Sequence, residues 1–191
     1  MIGLLQRGVG FGLEARALRA ADLKTGKLRL VAITPEMLLA EHESDAAGLG
    51  RLLNAKLTQE WPPVDWEPHV YRIISKQYEE WPQSFGWHRY VVLDGGLGRG
   101  RTLVGAIGGF PRAGGDVEMG YSTLPGFQRR GYATACAKKM VEYFLGQEGV
   151  ASVSAQSYER VAESIKVMQR CGMRFVGDGD EAGTVRYRRV R

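Results

Sequence analysis

The chain has 191 residues, enough for one well-buried domain and short for two. Hydrophobic residues make up 44% and charged residues 25%, an ordinary globular balance, and no apolar run has the length a membrane-spanning helix needs. Lys and Arg outnumber Asp and Glu by 26 to 21; this net +5 suits a polyanionic ligand but is too mild to argue for specific nucleic-acid binding.

Residues 1–26 show no strong period and read as an N-terminal extension, although residues 13–23 can form a short helix. The apolar start is broken by Arg7 and two glycines before a signal-peptide core can build up, so a cytoplasmic protein is expected. The main domain is expected over residues 27–191. It opens with KLRLVAI at 27–33, whose alternation predicts a strand. Thr34-Pro35-Glu36 then starts a helix with a capping hydroxyl, a proline in the first turn and an early acid. The helical pattern runs to about residue 55, with a break expected at Gly48 and Gly50. Next come Trp61-Pro62-Pro63-Val64-Asp65-Trp66, a stiff loop, and a helix over 67–81.

Residues 87–94 and 101–110 read as strands joined by Gly95-Gly96-Leu97-Gly98-Arg99-Gly100. That glycine loop leads from strand into strand, so it is a hairpin and not a dinucleotide loop, which must open a helix. A turn at 111–115 returns the chain as 116–124, completing a three-stranded antiparallel meander. A long amphipathic helix follows. Ala133, Cys136, Ala137, Met140, Val141 and Phe144 recur at steps of three and four, with Lys138, Lys139 and Glu142 opposite. A strand at 151–157, a helix at 160–171 ended by Gly172, and a hairpin of 173–178 and 184–190 complete the chain. Arg186, Arg188, Arg189 and Arg191 make the last strand basic, which protects a solvated edge or offers a docking surface for RNA or an acidic partner. Cys136 and Cys171 have neither disulfide nor metal spacing and read as buried free thiols. His42, His69 and His88 are scattered, so no metal site is expected.

The most informative junction is Gln128-Arg129-Arg130-Gly131-Tyr132-Ala133. No Ser, Thr, Asp or Asn stands there to cap the free N–H groups of the following helix. Bare amides, a helix dipole and two guanidinium groups make a seat for an anion, above all a pyrophosphate. A water-capped helix start with solvated arginines is the alternative reading.

This junction resembles the Q/R-x-x-G-x-G/A loop of the GNAT superfamily of N-acetyltransferases. A Glu118-Met119-Gly120-Tyr121 strand precedes it, and the later Cys171-Gly172-Met173-Arg174-Phe175-Val176-Gly177 is similar to the ribosomal-protein N-terminal acetyltransferase branch. The resemblance implies an α/β (α+β) GNAT fold, a mixed and mostly antiparallel sheet with helices on both faces. It implies acetyl transfer from acetyl-CoA to a primary amine, with a protein N-terminus among the candidate acceptors, by direct attack in a ternary complex. No metal, membrane or specific nucleic-acid partner is implied, and both monomer and homodimer stay open. The strand ending at Leu124 is expected to carry a bulge and to splay from the 151–157 strand. Acetyl-CoA would then be held by Tyr121, Ser122, Thr123 and Leu124 in the gap. Gln128, Arg129, Arg130, Gly131, Tyr132, Ala133 and Thr134 would hold its pyrophosphate, and Ser164 would contact it from the last helix. Glu118 is the implied base, with Ser164 or Tyr121 as proton donor to the thiolate. Trp61, Trp66 and Tyr71 are candidate acceptor-pocket walls, or simply cover the sheet. Val161 and Met168 stand where relatives often carry Asn and Tyr. That departure keeps a non-catalytic acyl-CoA-binding module open as an alternative.

Overall fold

The computed structural model describes residues 20–63 and 70–191. Within them one sheet of eight strands runs β1 (Leu23–Thr25), β2 (Leu28–Ala32), β3 (Arg89–Asp94), β4 (Arg101–Arg112), β5 (Asp116–Thr123), β6 (Ser152–Tyr158), β8 (Thr184–Val190) and β7 (Arg174–Asp178) in spatial order. All neighbours are antiparallel except β5 and β6. The expected meander is therefore β3–β4–β5. The pair β1–β2 forms a hairpin that starts inside the stretch read as an extension.

Two cores flank the sheet. On one face, α4 (Tyr132–Leu145) and α5 (Ala162–Arg170) bury Cys136, Ala137, Met140, Val141, Phe144 and Met168 against Val117, Met119, Val153 and Ala155. Each large apolar side chain covered here contributes on the order of 1.5–3 kcal/mol. On the other face, α1 (Pro35–His42), α2 (Ala46–Leu53) and α3 (Val70–Glu80) cover Tyr90, Val92, Leu103 and Ala106. Among the described residues this second layer reaches over β2 to β4, and no helix of it covers that face of β5 and β6.

The α1–α2 break falls at Glu43–Asp45 and not at the glycines. Ser44 takes a left-handed φ of 57°, and the Asp45 carboxylate accepts the Gly48 N–H at 2.7 Å, capping α2. Gly48 lies directly beneath that cap, and a Cβ there would fall 2.0 Å from Asp45 Oδ2, so the cap would have to shift. Both expected free thiols are buried, and burial pushes Cys136 up to about 12 and Cys171 up to about 11. Among the described residues, no helix is long and apolar enough to cross a membrane.

Candidate active site

The site begins where β5 and β6 part. Against β4, β5 is paired through eight rungs from Arg112↔Asp116 to Gly105↔Thr123 with constant register. Against β6 it keeps only Asp116↔Ser152, Val117↔Val153 and Glu118↔Ser154, although both strands continue. The splay is therefore present without the expected bulge in β5. The bulge lies instead between β3 and β4, at the register shift between Val91 and Val92. It is the divergence of two parallel strands, each held firmly on its other side, that opens the gap.

The turn from β5 into α4 lies beside this gap. Gly131 precedes the helix with a left-handed φ of 77° and no side chain caps the helix start. Arg129, a non-glycine, also sits at a positive φ, 61°. The first helical bond is Ala135 N–H to Gly131 O at 3.0 Å, and none of the N–H groups of residues 129–134 donates to an acceptor among the described residues. Gln128, Arg129, Arg130 and Gly131 are exposed. Side chains shape the turn: Gln128 Nε2 donates to Thr123 O at 2.9 Å, and Arg130 Nη2 to Gly126 O at 3.1 Å. Glu60, from the α2–α3 loop, accepts the Gly126 N–H at 3.0 and 3.2 Å and ties that loop to the turn. Leu124 has its backbone engaged within the fold. Its N–H donates to Val104 O, its C=O accepts from Phe127 N–H, both at 2.9 Å, and its side chain is fully buried.

Alternation along β5 divides the expected chemical residues between two faces. Tyr121 lies on the α4–α5 side, and its hydroxyl donates to Ser164 O at 3.1 Å, which brings these two residues together. Burial raises the Tyr121 phenol above its ordinary value and keeps it protonated. The Ser164 hydroxyl makes no hydrogen bond back to its own helix among the described residues.

Glu118, Gly120 and Ser122 point to the opposite face. Glu118, 14% exposed, is held at the last rung by Arg112 (Nε to Oε2 2.9 Å, Nη2 to Oε2 2.8 Å) and by Gln156 Nε2 to Oε1 at 2.8 Å. Arg112 and Arg186 also reach Asp180, at 3.1 and 2.6 Å, and Arg186 stands 3.8 Å from Glu118. Gln156 accepts the Asp180 N–H at 2.7 Å, so the β7–β8 turn is drawn over the mouth of the gap. Gln156 and Asp180 escaped notice in the sequence, although Ser152-Val153-Ser154-Ala155-Gln156 alternates and so puts Gln156 on the Glu118 face.

Farther along, Trp61 Nε1 donates to Glu41 Oε1 at 2.7 Å and packs edge-on against Tyr90 at 5.6 Å. Tyr71 stacks on His42 at 4.5 Å. Both join the second core at its margin, while Trp66 lies outside the described residues. His88 is buried beside this margin. Gln77 donates to Gly109 O at 3.2 Å, so its own carbonyl faces His88 Nε2 at 3.1 Å and fixes that nitrogen as the N–H. Burial lowers the imidazole to about 3, so it is neutral.

Residues 37–174 match the acetyltransferase (GNAT) domain family. The uncharacterized N-acetyltransferase YjdG of Bacillus subtilis is 25% identical over 155 residues, covering 78% of this chain and 88% of YjdG. In fold, a GNAT acetyltransferase from Bacillus anthracis superposes with a TM-score of 0.58 at 18% identity, covering 89% of this chain and 98% of that one. RimL, a ribosomal L7/L12 α-N-protein acetyltransferase solved with coenzyme A, does so with a TM-score of 0.59 at 14% identity, covering 89% and 98%. An eight-stranded sheet parted at one parallel junction, an uncapped helix beside the parting and a family match over most of the chain lead to one conclusion: the chain belongs to the GNAT family of acetyl-CoA-dependent N-acetyltransferases.

Proposed function

We propose that the protein acetylates a primary amine, a protein N-terminus in the first instance, by direct attack on acetyl-CoA within a ternary complex in the cytoplasm. One observation supports this above the others: the β5–β6 ladder stops at Glu118↔Ser154 next to a turn whose amides 129–134 have no acceptor among the described residues. A pantetheine arm pairs like an added strand with the free edge around Tyr121 to Thr123. Its pyrophosphate sits on residues 129–134, with Gln128 shaping the turn from behind. Positioning of the thioester supplies much of the rate. The choice of a protein N-terminus draws on the Cys171–Gly177 stretch and on the fold shared with RimL.

The two faces of β5 suit the two proton transfers. The amine comes from the Glu118 side and loses its proton to Glu118, directly or through water. Its nitrogen forms the C–N bond, the C–S bond breaks, and the thiolate takes a proton from Tyr121 or Ser164 on the α5 side. A backbone N–H near Tyr121 or Ser122 steadies the oxyanion. Incubating the protein with acetyl-CoA and a pool of free-N-terminus peptides and polyamines, read by mass spectrometry, tests the reading. Acetylated peptides are expected. A raised melting temperature with acetyl-CoA but no product from any amine would instead leave an acyl-CoA-binding module.

A further inference from the structure

Most glycines near the site are explained by their neighbours. On β4, a Cβ at Gly105 would fall 2.2 Å from Ser122 O, one at Gly108 would fall 2.2 Å from His88 Nδ1, and one at Gly109 would fall 2.5 Å from Val117 Cγ1. Gly131 is explained by its left-handed backbone. Gly120 has neither reason. Its φ lies outside the left-handed range, and a Cβ there would meet nothing within 4 Å. It is exposed, although it sits inside a strand between the buried Met119 and the half-buried Tyr121. A glycine in a strand interior weakens the strand and often marks a close approach by another molecule.

The surroundings give that approach a direction. Gly120 pairs with Gly108, over which the His88 ring is packed, so the row is closed on the β4 side. On its other side the row runs straight into the β5–β6 gap, one same-face position past the last rung at Glu118. Along β5 the slot is bounded by Glu118 and Ser122, four residues and about 13 Å apart.

From this we infer that Gly120 is the specificity-determining floor of the acceptor site, its missing side chain making room for a substituted carbon next to the attacking nitrogen. The inference rests on the reading that acetyl-CoA fills the gap and a peptide amine attacks it. The slot then favours α-substituted amines, such as peptide N-termini, by tolerating a branch that a methyl group on residue 120 would meet.

The test uses the full chain and its Gly120→Ala variant with three hexapeptides that begin with Gly, Ala or Val and are otherwise identical. Acetyl-CoA binding is followed by thermal shift. The variant should bind acetyl-CoA within about twofold of the parent and melt no lower, since alanine suits a strand better than glycine does. Its kcat/KM should fall by no more than about threefold for the Gly-initial peptide and by at least about tenfold for the Val-initial one, because a blocked slot penalises the branched carbon. An equal fall for all three peptides, no fall at all, or lost acetyl-CoA binding in the variant would each overturn the inference. A parent protein that fails to bind acetyl-CoA, or binds it and acetylates none of the peptides, sinks the underlying reading before the variant is considered.

Discussion

The two edges of β5 have opposite fates. Toward β4 the strand is paired along its whole length, and the space over Gly108 and Gly109 of β4 is filled by His88, Val117 and Phe144. Toward β6 it is paired for three rungs and then let go, with exposed turn amides at the end of the opening. One strand thus serves as scaffold on one side and leaves an open edge on the other, the edge proposed to take the pantetheine arm. The difference comes from how each neighbour is restrained. The β4–β5 hairpin forces pairing, whereas β6 returns from α4 and is bound over its full length to β8.

The contrast can be broken at the open edge first. Gly131→Val forces a β-branched residue into a left-handed backbone, a strain of at least ~1–2 kcal/mol. The exposed turn should relax at the expense of its amide array, so acetyl-CoA affinity should fall by roughly thirtyfold or more, while the domain keeps its cooperative melt. Calorimetry checks the first and thermal unfolding the second; retained affinity would count against the anion seat. At the last rung, Glu118→Gln should lower kcat by about 100-fold, the usual scale for a lost proton acceptor, with acetyl-CoA affinity unchanged. Normal turnover would remove Glu118 as base.

Gln156→Leu releases Glu118 and the Asp180 turn while conserving bulk. It should lower kcat by about tenfold, as expected for a misplaced catalytic group, and leave acetyl-CoA binding intact. Gln156→Glu, which brings a like charge against Glu118 and Asp180, should be worse at low salt than at high salt.

The smallest expected effect belongs to the closed edge. His88 is kept neutral by burial, with its value lowered to about 3 from 6.5. The folded state therefore binds fewer protons than the unfolded chain below 6.5. The stability this supplies is present above pH 6.5 and is lost as pH falls toward 3. At about 1.36 kcal/mol per unit, going from 6.5 to 5 should cost roughly 2 kcal/mol. Urea unfolding of the parent and of His88→Gln across this range should show the slope flattened in the variant.

Local chemistry made much of this legible in the sequence. Thr34 and Pro35 start α1 as read, with Thr34 Oγ1 accepting the Met37 N–H at 3.4 Å. The glycine loop at 95–100 joins two strands, and the apolar face of α4 is buried from Cys136 to Phe144, with Ala133 half-buried at its start. Relations that depend on distant partners were not legible. Gly48 and Gly50 look like breakers until Asp45 is seen folding over the first. The gap needed no bulge, only the different restraints on two strands. Glu118 could be picked out, but Arg112, Gln156 and Arg186 come from three separate places in the chain to hold it. Only the fold assembles that group.

The two halves of the sheet, β1–β5 and β6–β8, touch edge to edge through just three residue pairs. The proposed acetyl-CoA cleft is thus also the seam along which the sheet is least well sewn. A thioester tail lying in it would act as the missing stitch, lending the protein cohesion when loaded and withdrawing it on departure. Turnover and mechanical integrity would then rise and fall together, with each catalytic cycle briefly reopening the same seam.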